Sequence, residues 1–355
     1  MSKKTSAAIA TTVLASSVIL GGCGVFNMKD KAIDPPQREV IVKDSAALND
    51  HSTKQKSAAK EDATSKTVMT ELYLIDKNGY VVPQSMALPH SQGVTKQALE
   101  YLVQDGPVTD MLLSGFRAVL PADTQVDVDV TKDGKATVDF SKEFANYKKE
   151  DELRILQAVT WTMTQFDSVK SVTIKMNGTK LKEMPVNHTP ISKNLTRASG
   201  INIDTSDIAD LTHTKPLTVY YLGGKADYYY YVPVTKRISS TEKDMAGAVV
   251  EQLAEVPSGK KNLVTEFMPE LALVEKPKVK DGEVTLNFTE SIFGSFEENT
   301  VSQRLVNALV LSLTEQKNIK KVDIQVNGKA SLKTEDGKEL NEPVLRPQKV
   351  NSTSL

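Results

Sequence analysis

An internal repeat constrains the fold of this chain more than any other feature of its sequence. A Lys-Asp-Gly turn and the strand pattern that follows it, at residues 132–141, recur at 280–289. Further along, the end of a helix, a turn and a strand that ends in Asn-Gly, at 163–178, recur at 313–328. The offset stays near 150 residues, and chance similarity would not keep one register across helices, turns and strands. The sequence therefore predicts two tandem copies of one domain.

Each copy has the pattern of mixed α and β structure. In the first copy, an Asn-Gly turn at 78–79 joins two strand patterns, and apolar residues recur at helical spacing over 94–103 and 151–166. Alternating Val and Asp at 126–130 predicts a strand with one buried face. We therefore predict an α+β fold in which two helices pack on one face of a small mixed or antiparallel sheet. The other face is left to solvent or to a partner.

The N-terminus has the pattern of a bacterial lipoprotein signal peptide. Two lysines precede an apolar run at 7–20, and two glycines lead to Cys23, the only cysteine in 355 residues. The run is shorter than the roughly 20 residues that a membrane-spanning helix needs. We predict that residues 1–22 are removed and that Cys23 carries a diacylglyceryl group whose fatty chains hold the protein at the membrane. The alternative is an ordinary signal peptide with an incidental cysteine.

Composition and the repeat together predict the domain boundaries. Residues 23–66 are rich in charged and small polar residues and have little apolar periodicity, so we expect a disordered tether. The repeats place a first domain at 67–190 and a second at 216–347. The linker between them, 191–215, is either a hinge or a packed connector, and residues 348–355 form a C-terminal tail.

Charge and composition exclude several kinds of partner and cofactor. The chain has 44 basic and 45 acidic residues, so it lacks the basic excess that nucleic-acid binding requires. With Cys23 acylated, no thiol remains for a disulfide or a redox centre. No second long apolar run follows the N-terminal one, so no transmembrane segment is predicted.

The residues that catalysis or metal binding would need are scattered. The histidines, none of which has a second His or Cys at metal-ligand spacing, are His51, His90, His188 and His213. Asp127, Asp129 and Asp133 resemble part of a calcium loop, but their spacing is wrong and no glutamate closes the loop. The sequence has no nucleophile elbow, phosphate loop or dinucleotide fingerprint. We predict no catalytic residues, no metal and no cofactor.

Some polar residues occupy the same position in both copies. Glu100 and Glu251 share a helix position, which suggests acid–base chemistry, but they lie in different domains and a solvent-facing role is favoured. Asp139 and Asn287 share a strand position, where we expect surface or turn-capping groups.

Four consecutive tyrosines are the candidate interface with another protein. They have no counterpart in the first copy, and they are Tyr228, Tyr229, Tyr230 and Tyr231. Tyrosine is enriched at interfaces because it buries a large area and keeps a polar tip. Since side chains alternate along a strand, the other interpretation is that half of these rings lie in the core and half are merely exposed.

These features together resemble the tandem GerMN-domain lipoproteins of endospore-forming bacteria. The resemblance covers the whole chain and is specific at 33–36, 71–80, 115–121 and 234–238. It implies a fold similar to ring-building motifs and a non-enzymatic structural protein of sporulation and germination. It also implies a place at the extracytoplasmic face of the membrane, between mother cell and forespore. There the protein would help to assemble the transenvelope complex with that complex's other protein components.

Several functional hypotheses remain after these observations. The first is a lipid-anchored assembly protein, in which weak contacts of two domains act together near a surface, with homo-oligomerisation left open. The second is a cell-envelope lipoprotein that binds or modifies peptidoglycan, which would need an aromatic-lined groove with carboxylates such as Glu100 or Glu251. The third is a solute-binding lipoprotein, although such proteins usually exchange strands between lobes.

Overall fold

The computed structural model describes residues 67–206, 212–225, 228–255, 260–293 and 300–352. The predicted signal peptide, the tether, Cys23 and His51 lie outside the described residues and stay predictions.

The first repeat begins with a long antiparallel hairpin of β1 (Thr67–Asp76) and β2 (Val81–Pro89). The predicted Asn-Gly turn closes this hairpin, and Gly79 has φ +82°, a backbone conformation that glycine adopts without strain. Helix α1 (Val94–Glu100) follows. The short β3 (Phe116–Arg117) then pairs with the end of β1, so the hairpin becomes a three-stranded sheet.

The rest of the first repeat forms a separate mixed sheet. Strands β4 (Val126–Val130) and β5 (Lys135–Phe140) are antiparallel, and helix α2 (Glu152–Met163) follows them. Strand β6 (Ser171–Met176) then runs parallel to β5, and β7 (Thr179–Lys180) pairs with β6. The strand order is β4-β5-β6-β7, which leaves β4 at one edge of the sheet.

The second repeat reproduces this order, which confirms the predicted tandem α+β architecture. Its hairpin consists of β8 (Thr214–Lys225) and β9 (Tyr228–Ser239). The later elements are α3 (Met245–Ala254), β10 (Lys278–Lys280), β11 (Glu283–Phe288), β12 (Thr300–Val301), α4 (Gln303–Thr314), β13 (Lys321–Val326), β14 (Lys333–Thr334) and β15 (Val344–Leu345). The mixed sheet has the order β10-β11-β13-β15, with β11 and β13 parallel, and β12 pairs separately with β14.

The second helix of each repeat is buried on more sides than its apolar stripe predicts. In α2, 10 of 12 residues are buried. The reason is that the strands form two sheets, so the hairpin covers one side of the helix and the mixed sheet covers another. Small polar residues of the helix then anchor the hairpin: Thr162 accepts a hydrogen bond from the N–H of Tyr73 at 3.2 Å, and Ser312 accepts one from Tyr220 at 2.9 Å.

The predicted turn-capping pair, Asp139 and Asn287, caps the same turn in both repeats. The Asp139 carboxylate accepts a hydrogen bond from the N–H of Gly178 at 3.0 Å. The Asn287 side-chain oxygen accepts one from Gly328 at 2.9 Å. These bonds hold the turn after β6 and β13 in one conformation, and they confirm the turn-capping prediction.

Candidate functional site

Two segments cross from one repeat to the hairpin of the other. We call them the first arm, residues 195–204, and the second arm, residues 344–352. In the first arm, Ile201 accepts a hydrogen bond from the N–H of Thr235 on β9, and its own N–H donates to the Thr235 hydroxyl, both at 2.9 Å. In the second arm, Val350 accepts a hydrogen bond from the N–H of Ser85 on β2, and its own N–H donates to the Ser85 hydroxyl, both at 2.8 Å. The joint between the repeats therefore has approximate two-fold symmetry.

An asparagine in each arm bridges the outer edges of the two hairpins. The Asn202 side chain accepts a hydrogen bond from the N–H of Val81 at 2.9 Å. It also donates to the carbonyls of Val81 and Pro233, at 2.8 and 2.7 Å. The Asn351 side chain makes the matching bonds: it accepts from the N–H of Tyr231 and donates to the carbonyls of Tyr231 and Pro83. Because backbone groups of both hairpin edges are paired in this way, residues 195–204 of the predicted linker form a packed connector rather than a hinge.

A cluster of four charged side chains lies in the same joint. Arg197 and Arg346 occupy the same position in the two arms, and both contact Glu315 at the end of α4. The Arg197 Nη1 lies 2.5 Å from Glu315 Oε1, and the Arg346 Nη1 lies 3.6 Å from Glu315 Oε2. Arg346 also lies 3.9 Å from Glu71 on β1. The two positive and two negative charges therefore balance within the joint.

Aromatic rings enclose this charged cluster. The Arg197 guanidinium lies 4.4 Å from the centre of the Trp161 ring, and the Tyr220 hydroxyl donates to Glu315 at 2.9 Å. Burial opposes ionisation of Glu315, but the charges of Arg197 and Arg346 outweigh it, so the pKa of Glu315 lies below its usual range. Glu315 is therefore ionised at neutral pH. The cluster ties both arms to a strand of one repeat and a helix of the other.

Sequence reasoning did not predict the arms, although a signal for them was present. The pattern Arg-x₃-Ile-Asn at 197–202 recurs as Arg-x₃-Val-Asn at 346–351. The two repeats also place different residues at one position of this cluster. Gln165 stands where the second repeat has Glu315, and its amide bonds to the backbone of Glu71 at 2.8 and 2.5 Å. Glu315 is therefore the ion-pair partner of both Arg197 and Arg346, and the first repeat has a glutamine at its position.

The tyrosines predicted as an outer interface lie beside this joint. Tyr230 is only 4% exposed, packs edge-on against Phe116 with the ring centres 5.1 Å apart, and donates its hydroxyl to Asp76 at 2.6 Å. An outer-interface role is therefore wrong for Tyr230, because its ring faces the first repeat. The other three are partly exposed, and for them the role stays a prediction: Tyr228, Tyr229 and Tyr231.

Glu100 and Glu251 each line an open groove beside the first helix of their repeat. The groove at Glu251 has a volume of about 650 Å³ and lies between α3 and residues 269–277. The groove at Glu100 has a volume of about 610 Å³ and lies between α1 and β4. Glu100 is half exposed and lies 4.0 Å from Lys96. Among the described residues that line the Glu251 groove none is aromatic, whereas Phe140 lies in the lining of the Glu100 groove.

The other candidate residues that the structure describes lie on the surface. The imidazole of His188 contacts Glu183 at 2.9 Å, and Asp127 and Asp129 are exposed on β4. A hydrogen bond with Lys135 is the main cause that lowers the pKa of Asp133 to about 2. In the ranges that the structure describes, no group of three or more His, Cys, Asp or Glu residues is placed to hold a metal ion. The same ranges contain no helix that is long and apolar enough to span a bilayer.

Glu152, at the start of α2, fixes a loop of the first repeat. Its carboxylate accepts hydrogen bonds from the N–H groups of Val186, Asn187 and Thr189, at 3.0, 2.7 and 3.0 Å. It also accepts bonds from the hydroxyls of Thr189 and Tyr147. Burial alone would raise the pKa of Glu152, but these donors outweigh it and hold the pKa at about 2.

Replacing Glu152 with glutamine is expected to lower the free energy of unfolding at pH 7 by about 2 kcal/mol, because a neutral amide cannot accept all five bonds. The pKa is lower in the folded chain, so the wild-type advantage is present above the ordinary value of 4.5 and is lost as pH falls towards 2. Urea denaturation at several pH values measures this difference. Glu150→Gln, two residues away and exposed, is the control. A constant difference from pH 7 to pH 2 would contradict the assignment.

Comparison with known proteins identifies the family. A profile described as "Germane: Sporulation and spore germination" matches residues 71–182 and 218–332, one match for each repeat and more than half of the chain together. The chain belongs to the Germane family. The resemblance found in the sequence is thereby confirmed.

The Germane relatives extend the match to the full chain. The spore germination protein GerM of Bacillus subtilis (strain 168) is 54% identical over 367 residues, covering 100% of both chains. The solved structure of the tandem GerMN domains of that sporulation protein is 56% identical, covers 81% of this chain and 100% of that one, and has a TM-score of 0.76. Its first GerMN domain alone is 66% identical, covers 37% of this chain and 98% of that one, and has a TM-score of 0.37. The tandem Germane architecture is therefore shared with a sporulation protein.

Proposed function

We propose that this protein is a non-enzymatic, lipid-anchored assembly component of the complex that joins mother cell and forespore during sporulation, with a further effect on germination. The observation that carries the proposal is the joint, in which two arms, two asparagine bridges and a charged cluster connect the repeats. A joint with this many long-range contacts presents two domains at a fixed spacing. A fixed spacing is what a structural component needs, whereas an enzyme that closes on a substrate needs a hinge.

The anchor adds a physical reason for the proposed role. Attached through Cys23 at the extracytoplasmic face, the folded repeats would stay near the membrane at the end of residues 23–66. Confinement raises the local concentration of both repeats, so individually weak contacts with other envelope proteins act together. Membership of a sporulation and germination family supports this setting.

Replacing Cys23 with alanine is expected to release the protein from the membrane fraction and to abolish its contribution to spore formation, because no acyl chain can then be attached. Fractionation of sporulating cells and counts of heat-resistant spores measure the two effects. Asn27→Ala, which keeps the cysteine, is the control. Membrane retention and normal sporulation of Cys23→Ala would contradict the anchor.

The assembly role has a separate test in the same cells. Cross-linking of the wild-type chain should recover proteins of the mother-cell and forespore membranes, and cross-linking of Cys23→Ala should recover at least about tenfold less, the loss expected when effective concentration falls. If the wild-type chain recovers none of them, the assembly role is wrong even if the anchor is correct.

A further inference from the structure

The outer edges of the two mixed sheets carry opposite charges at an equivalent position. Strands β4 and β10 each lie at one end of the strand order of their sheet. Asp129 of β4 lies opposite Thr137, and Lys278 of β10 lies opposite Thr285. Thr137 and Thr285 follow the same Lys-Asp-Gly turn in the two repeats. The same edge position is therefore an aspartate in one repeat and a lysine in the other.

Neighbouring exposed residues extend both charged edges. On β4, the Asp127 side chain is 84% exposed. On the second edge, Lys276 and Lys280 flank Lys278 at alternate positions, and all three are exposed. Alternation places Lys278 and Lys280 on one face of the strand, as it does Asp127 and Asp129 on theirs.

Among the described residues, an ion pair brings an opposite charge to each edge. Lys96 lies 3.7 Å from Asp127, and Glu275 lies 2.7 Å from Lys278. Exposed ion pairs of this kind contribute roughly 0–1 kcal/mol, so another partner can replace them.

The backbone of each edge has groups directed away from its own sheet. Directly after β4, the N–H of Thr131 donates to the carbonyl of Lys135 at 3.0 Å. Because the bonds of an antiparallel pair recur at every second residue, Asp129 and Asp127 also direct their N–H and C=O towards β5. The N–H and C=O of Val128, which lies between these residues, therefore point away from β5. The register of β10 with β11 matches that of β4 with β5, so the N–H and C=O of Val279 point away from β11. Neither β4 nor β10 has a second strand partner among the described residues.

The charges on β4 and β10 determine which pairing of edge strands is favourable. Two β4 strands together would place aspartates against aspartates, and two β10 strands would place lysines against lysines. Pairing of β4 with β10 places opposite charges together. We propose that β4 of one molecule pairs with β10 of a second copy of this chain. This contact rests on the proposed assembly role and adds a partner to it.

The contact would be heterologous, since two different surfaces of the same chain meet. Contacts of this type continue from copy to copy, so they form closed rings or open filaments rather than symmetric dimers. Strand β10 has only three residues, so a single contact is weak in solution. Anchoring at a membrane would raise the local concentration and favour the array. High salt would weaken it by screening the exposed charges.

Charge reversal of one edge at a time tests the proposal. Because the B. subtilis tandem domains have a solved structure of their own, residues 67–355 can be used without the anchor. The first variant is Asp127→Lys with Asp129→Lys, and the second is Lys276→Glu with Lys278→Glu and Lys280→Glu. In each variant both edges carry the same sign, so we expect self-association to weaken roughly tenfold or more. An equimolar mixture of the two variants should associate again, because each basic edge then meets an acidic one.

Sedimentation velocity up to about 1 mM, the effective concentration that tethering reaches, measures this association at low and high salt. Lys180→Glu with Lys182→Glu, on and beside β7 at the opposite end of the first mixed sheet, is the charge control and should associate like wild type. A wild-type chain that stays monomeric throughout, or a mixture that does not recover, would overturn the proposal. So would binding to anionic vesicles that depends on the three lysines without self-association. These failures leave the assembly role standing, because the cross-linking in sporulating cells tests it independently.

Discussion

Replacing Glu315 with alanine is expected to lower the free energy of unfolding by about 3–5 kcal/mol, the effect of removing one partner of a buried ion pair. Glu315 is 9% exposed at its side chain and is the carboxylate that both arm arginines contact. Without it, Arg197 keeps its place against Trp161 but loses its counter-charge at 2.5 Å. The remaining carboxylate, Glu71, lies 3.9 Å from Arg346 and cannot compensate both charges.

Urea denaturation of residues 67–355 measures this loss. Glu183→Ala is the control, because Glu183 pairs with His188 on the surface and its removal should change the free energy of unfolding by less than about 0.5 kcal/mol. Glu315→Gln should fall between wild type and alanine, since glutamine keeps an acceptor for the Tyr220 hydroxyl but lacks the charge. A loss below about 1 kcal/mol for Glu315→Ala would show that the charged cluster does not hold the joint.

Replacing Asn202 with alanine is expected to lower the free energy of unfolding by about 3 kcal/mol, because each unsatisfied buried group costs about 1–3 kcal/mol. The change leaves the N–H and C=O of Val81 and the C=O of Pro233 without the amide that joins them. Asn202 also has φ +45°, in the left-handed region that asparagine tolerates better than alanine.

A glycine variant separates these two causes. Asn202→Gly removes the amide but accepts the left-handed backbone, so it should be less destabilised than Asn202→Ala by about 1 kcal/mol. Asn194→Ala, exposed in the same connector, is the control and should behave like wild type. Small-angle scattering adds the conformational result: Asn202→Ala should increase the radius of gyration if the amide fixes the two repeats. Wild-type stability of Asn202→Ala would show that this part of the connector is a passive hinge.

The repeat, the turns and the strands were predictable because each depends on residues close together in the chain. The Asn-Gly turn at 78–79 and the caps at Asp139 and Asn287 have local causes, namely a left-handed glycine and a side chain near its turn. Alternation at 126–130 placed β4 correctly with its aspartates outwards. For α2, the apolar stripe predicted the helix but not the second sheet that covers its other side.

Local patterns by themselves determined two α+β repeats, their turns and their family. Tertiary structure alone decided how the repeats are joined, because the deciding contacts link residues more than a hundred positions apart. Asn202 meets Val81, and Arg197 meets Glu315, only after both hairpins and both mixed sheets exist. In the sequence Asn202, Arg197 and Glu315 each resemble an ordinary surface residue. What makes them decisive is burial, which removes water as an alternative partner for a charge or an amide.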